Sequence, residues 1–187
     1  MLELRIPETE LWDPVSERFL SVGEQVLPLE HSLLSISKWE SKWHRPMPLI
    51  NNEKLAGEEF LDYIRCMTVS RNPDPLVYRC ISADDVESIM SYINDPQTAT
   101  WFREEKSDDK DRRPLTAERI YHLMFVFSVS KECEKWHFNR LMTQLRVEYE
   151  ESKPAKKKSP AEIAERHRML NAKRRAEAEA RRAKAHV

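Results

Sequence analysis

The chain has 187 residues and a formal net charge of -1, but that balance hides an asymmetry. Residues 152–187 hold twelve Lys/Arg against four Asp/Glu, leaving 1–151 with nineteen against twenty-eight. An acidic body joined to a basic tail describes two regions with different surroundings. Only two glycines occur, which excludes most phosphate-cradling loops and disfavours glycine-rich all-β architecture.

The length allows one domain of about 150 residues plus an extension. Three cysteines, Cys66, Cys80 and Cys133, form no paired pattern and point to free thiols in a reducing compartment. Met1–Arg5 lacks a basic segment followed by an apolar run, so no signal peptide is expected. The longest apolar stretch, Leu123–Val129, contains Ser128 and is far short of the ~20 residues a membrane-spanning helix needs.

In chain order, residues 1–27 are the one plausible β region. Met1–Ile6 alternates apolar and polar residues, and Glu10–Trp12, Asp13-Pro14 and Arg18–Val22 read as a small hairpin. Pro28 then opens a helical stretch from His31 to about Trp43, with Leu33, Ile36 and Trp39 at helical spacing, stopped by Pro46 and Pro48. A helix from about Glu53 to Thr68 is expected to set Leu55, Phe60, Leu61, Ile64 and Met67 on one face. Glu58, Glu59, Asp62 and Arg65 fall on the other.

Asn72–Pro75 reads as a turn. Ser82 followed by Asp84 and Asp85 reads as a helix start, and that helix carries Val86, Ile89, Met90 and Ile93 and stops before Pro96. Residues 103–114 are almost wholly charged and read as a solvated loop. Thr116 opens a helix through about Phe127, and after a break at Ser128–Ser130 a long helix is expected over Lys131–Glu151. Its stripe is Cys133, Trp136, Leu141, Leu145 and Tyr149.

Residues 152–159 read as a Lys/Pro linker. Ser159, Pro160 and Glu162 start a basic helix over 160–187 that is too polar to bury much of itself. The expected fold is therefore mainly α: a compact helical body (1–151) with a small N-terminal β-hairpin, and a C-terminal basic helical extension.

No constellation of side chains announces catalysis. Cys133 and His137 are four apart, but one such pair supplies two ligands where a structural zinc site takes four, and a buried cysteine is usually inert. No catalytic residue, metal or cofactor is expected. Trp39 and Trp43 share a helix face; Trp39, Ile64, Met67, Trp136, Leu141 and Leu145 are candidate core residues. Trp43 and Arg45 are candidate partner-binding residues, because aromatic and arginine side chains are enriched in binding hot spots. In the tail, Arg166, Arg168, Arg174, Arg175, Arg181 and Arg182 are the corresponding candidates. Such an arm binds nucleic acid weakly and without sequence preference, having no aromatic residues to stack on bases. It equally fits an acidic protein, including the body of another copy.

Three stretches carry a family resemblance: Leu29–Trp43, Leu61–Thr68, and the distinctive Glu134-Lys135-Trp136-His137-Phe138-Asn139-Arg140-Leu141-Met142-Thr143. Together with the lysine-rich linker and the stretch Asn171–Arg174, they resemble small proteins from the tail-morphogenesis region of long-tailed bacteriophages. The resemblance is to tail assembly chaperones. It implies a non-enzymatic role in the host cytoplasm, keeping the tape-measure protein soluble and helping to recruit tail-tube subunits. A structural tail or neck protein of the virion and a nucleic-acid-binding protein are the rival readings.

Overall fold

A computed structural model describes residues 1–51, 53, 55, 57–102, 113–153 and 160–185. The chain separates into two compact units, Met1–Glu150 and Glu151–Val187. Residues 103–112 of the expected charged loop (103–114) and 154–159 of the expected linker (152–159) lie outside the described residues.

The first unit starts with β1 (Leu2–Ile6), β2 (Thr9–Asp13), β3 (Arg18–Val22) and β4 (Gln25–Leu29). β1 pairs antiparallel with β4, and β2 with β3. Both pairs share one register, since Leu2 faces Leu29, Ile6 faces Gln25, Thr9 faces Val22 and Asp13 faces Arg18. The four strands are thus two arms of one antiparallel ribbon, interrupted at Pro7–Glu8 and Gly23–Glu24 and roughly 40 Å long at ~3.4 Å per residue. Asp13 closes the turn at the tip by accepting from the Ser16 backbone N–H (3.2 Å) and hydroxyl (2.6 Å).

The buried face of the ribbon changes across that interruption. Near its base Leu4, Ile6, Leu27 and Leu29 are buried, whereas toward the tip Leu11, Leu20 and Val22 turn inward and Trp12 and Phe19 outward. Side chains alternate along a strand, so one flat ribbon could not bury both sets against one body. The break lets the ribbon rotate.

The ribbon is longer than the sequence pattern indicates, and Pro28 lies within β4 instead of opening a helix. A residue's N–H and C=O point to the same strand edge. The Pro28 carbonyl accepts from Val69 N–H (2.9 Å), so its missing N–H faces away from β1 and costs no bond in the β1–β4 ladder. The helix, α1 (Leu33–Trp43), begins after Ser32, which forms a capping box with Ser35.

α2 spans Glu58–Met67, shorter at its start than the apolar pattern indicates, because Gly57 in the left-handed region (φ 54°) sets the entry. A 3₁₀ helix, Pro75–Cys80, leads to α3 (Ala83–Asn94), capped by Ser82 and Asp85 as their spacing indicates. α4 (Ala117–Val126) is capped by Thr116.

The expected long helix over Lys131–Glu151 is two pieces. Lys131–Lys135 is a 3₁₀ helix, Trp136 is extended, and α5 runs Phe138–Ser152. Tertiary pairing overrides the periodicity: His137 bridges to Ser32, and Phe138 N–H donates to the His31 carbonyl at 2.7 Å. α6 (Pro160–Ala185) forms the second unit's helix. Helix dominates, as expected. Among the described residues no helix is long and apolar enough to cross a membrane.

The core places Trp39, Ile64, Met67, Leu141 and Leu145 at 5% exposure or less. Trp136 differs. It sits half-buried outside α5, with the Arg140 guanidinium 4.4 Å from its ring centre. Asp62, expected on the solvent face of α2, is buried. It accepts from Lys42 Nζ (2.5 Å) and Arg65 Nη1 (2.6 Å). Burial opposes its charge, and those two cations outweigh burial and hold the carboxyl below its ordinary value.

Candidate functional site

A buried polar knot joins β4, α1, α2, α3 and α5. Tyr63 Oη and His31 Nδ1 share a hydrogen bond at 2.5 Å, and the His31 and His137 rings meet edge to face at 5.2 Å. His137 Nδ1 accepts from Asn139 N–H (3.3 Å), which leaves its Nε2–H to donate to the Tyr92 carbonyl (3.0 Å). Tyr92 Oη in turn donates to Glu30 Oε1 at 2.6 Å. Burial, and then the neighbouring His137, push His31 down to about 3; burial also lowers His137 and raises Tyr63 and Tyr92. Both imidazoles are therefore neutral and both phenols protonated near neutral pH. Ser35 donates to the Ser32 carbonyl at 2.8 Å. Each polar group here satisfies another, which is how a buried network specifies one packing.

Beside the knot is a groove of about 430 Å³ lined by Ser32, Ser35, Lys38, Cys66 and Lys135. Burial pushes the Cys66 thiol up, so it stays protonated and is a poor nucleophile. Cys133 is buried in the 3₁₀ helix, and His137 lies beyond it on extended backbone. The two do not share a helix face. Among the described residues no cluster of three or more His, Cys, Asp or Glu could hold a metal ion.

Glu40 organises the end of α1. Although buried, it accepts from Met47 N–H through Oε1 and from Ala117 N–H through Oε2, each at 2.7 Å. It therefore ties the α1–α2 loop to the positive end of α4. Burial raises its carboxyl, and the two backbone donors counter that rise. Trp43, half-buried, stacks on Trp39 with centroids 5.8 Å apart. Arg45 lies over the Trp39 ring at 5.5 Å and pairs with Glu59 at 2.5 Å. The structure brings these two candidates together, but much of their binding capacity is spent on Trp39 and Glu59.

The tail candidates Arg166, Arg168, Arg174 and Arg175 are exposed on α6. Arg181 and Arg182 belong to the same helix, and their side chains lie outside the described residues.

An open apolar groove lies between α4 and α5, lined by Leu123 and Phe127 and by Met142, Leu145 and Tyr149, with Phe102. The groove has a volume of about 610 Å³, within the ~300–1,000 Å³ of typical ligand clefts. Among the described residues Arg146 is its one charged lining residue, and it sits 4.3 Å from the Phe102 ring centre. Phe127 and Tyr149 meet edge to face at 6.4 Å. On α4 itself, Phe125 (83% exposed) and Val126 are exposed outside the groove lining. Isolated exposed apolar residues are ordinary, but a contiguous patch marks an interaction site.

None of the candidate binding residues read from the sequence lines this groove. A signal was present: Leu123-Met124-Phe125-Val126-Phe127 is apolar over more of the helix circumference than one core can cover.

Comparison with protein-family models, with curated proteins and with solved structures finds no match.

Proposed function

We propose that the protein is a phage tail assembly chaperone, a non-enzymatic binder whose α4–α5 groove takes the apolar face of a helical segment of the tape-measure protein. The resemblance of Leu29–Trp43, Leu61–Thr68 and Glu134–Thr143 supplies the client. The observation that carries the binding mode is the open apolar groove of about 610 Å³ lined by Leu123, Phe127, Met142, Leu145 and Tyr149. Helix-in-groove recognition needs such a trough, which the client fills with side chains at i, i+3, i+4 and i+7. Arg146 at its edge favours an acidic residue beside the apolar anchors. Flanking charge keeps the chaperone in water while the groove covers the client.

Co-expression tests this reading. The wild-type chain should raise the soluble fraction of tape-measure segments. The double variant Arg146→Ser, Tyr149→Ser, altered at exposed groove positions only, should not, while melting like wild type. A client that stays insoluble with the wild-type chain refutes the role. A double variant that works as well as wild type refutes the groove.

A virion structural protein would use the same surface permanently. Mass spectrometry of purified virions separates the two: the chaperone reading requires the chain to be missing from finished particles.

A further inference from the structure

The tip of the ribbon carries a second apolar surface, independent of the groove. Trp12 (50% exposed) and Phe19 (63% exposed) are cross-strand partners whose rings meet edge to face at 5.1 Å. Such a pair steadies a hairpin, yet both rings keep half or more of their surface in water. Their surroundings are acidic. Glu10 lies two residues before Trp12 on the same strand face, Glu17 is exposed at the turn, and Glu8 and Glu24 flank the interruption, against Arg18 as the basic residue of this stretch. The site is thus an aromatic pair bracketed by carboxylates, with Glu10 and the turn roughly 14 Å apart along the strand.

α6 carries the complementary pattern. Arg166, Met169, Leu170, Lys173 and Arg174 follow i, i+3, i+4, i+7, i+8 and so occupy one helix face. Met169 (70% exposed) and Leu170 (46% exposed) form its apolar centre. Arg166 and Arg174 bracket them about 12 Å apart at ~1.5 Å per residue. Among the described residues none of the three basic side chains forms an ion pair. A helix this polar buries little of itself unless another surface takes its apolar strip at Met169 and Leu170.

We propose that this face of α6 docks on the Trp12–Phe19 tip of a second copy of the chain. Met169 and Leu170 cover the aromatic pair, and Arg166 and Arg174 meet the carboxylates of Glu10 and Glu17. Guanidinium groups also stack on aromatic faces, which strengthens the match where water is excluded. The contact joins different surfaces of the two copies. It closes into a dimer when two copies exchange arms and otherwise propagates.

Sedimentation velocity of the full chain across the micromolar range tests this, at low salt and near ~1 M salt, where charges are screened beyond ~3 Å. The chain should associate with rising concentration at low salt and dissociate at high salt. Glu10→Arg with Glu17→Arg, or Arg166→Glu with Arg174→Glu, should each weaken association by roughly tenfold or more. Mixing the two variants should restore it, because each then presents the partner the other lacks. All four positions are exposed, and circular dichroism confirms that the variants stay folded. A monomer at every concentration in low salt overturns the proposal, as does association indifferent to both reversals. Rescue only when all four changes share one chain would also overturn it, since that is the result for an arm folding back on its own ribbon.

Discussion

Acid should weaken the body through His31 in a way that one substitution can isolate. The ring is buried, 2% exposed, and held at about 3 against an ordinary value of 6.5. Its folded form is neutral, so on acidification the unfolded chain takes up a proton before the folded chain does. Stability is complete above the unfolded value of ~6.5 and falls with pH until the folded value is reached. At ~1.36 kcal/mol per unit, the two units between pH ~6.5 and ~4.5 amount to about 2.7 kcal/mol. The lowered His137 adds to the loss with the same sign.

Urea unfolding of wild type and His31→Gln between pH 7.5 and 4.5 measures this, at intervals of about half a unit. Glutamine can still accept from the Tyr63 hydroxyl but does not titrate. Its absolute stability will be lower, yet its loss over this range should be about 2–3 kcal/mol smaller than that of wild type. Carboxylates titrate alike in both chains and cancel in the difference. Parallel pH profiles would refute the placement of a neutral, buried His31.

Three other perturbations bear on the body. Glu40→Ala strips the partner from the buried Met47 and Ala117 amides and should cost about 2–6 kcal/mol by urea unfolding, at ~1–3 kcal/mol per orphaned donor. Leu141→Ala, at a fully buried site, should cost about 2–5 kcal/mol, whereas the half-buried Trp136→Ala should cost clearly less than the ~3–5 kcal/mol of a core tryptophan. Asp62→Asn should destabilise the α1–α2 packing by weakening the contacts to Lys42 and Arg65. That difference should shrink as pH falls below the usual carboxylate range, because the depressed carboxyl contributes its stability above ~3.9 and loses it as it protonates.

Local signals were legible in the sequence. Ser82 with Asp85, and Thr116, announced their helices, because a cap is read within four residues. The apolar spacing of α1 and α2 located Trp39, Ile64 and Met67. What escaped was set by distant partners. Pro28 sits in a strand because Val69 uses its carbonyl, and the helix expected from Lys131 breaks at Trp136–His137 because His31 and Ser32 claim the following backbone. Asp62 looked like a surface acid because Lys42, which neutralises it, is twenty residues away. The groove was hidden for a related reason: the pattern shows that Leu123–Phe127 is apolar, but not which of its side chains the core leaves uncovered.

The central claim, that the α4–α5 groove receives a tape-measure helix, is tested most directly by site-specific photocrosslinking. A photoreactive residue replaces Tyr149 at the groove or, as a control, the exposed Arg71 far along the chain, and each variant is co-expressed with the tape-measure protein. The account predicts an adduct from position 149 that maps to an apolar helical segment of the tape-measure chain, and none from position 71. Adducts of equal yield from both positions, or none from 149 while the client remains soluble, would contradict it.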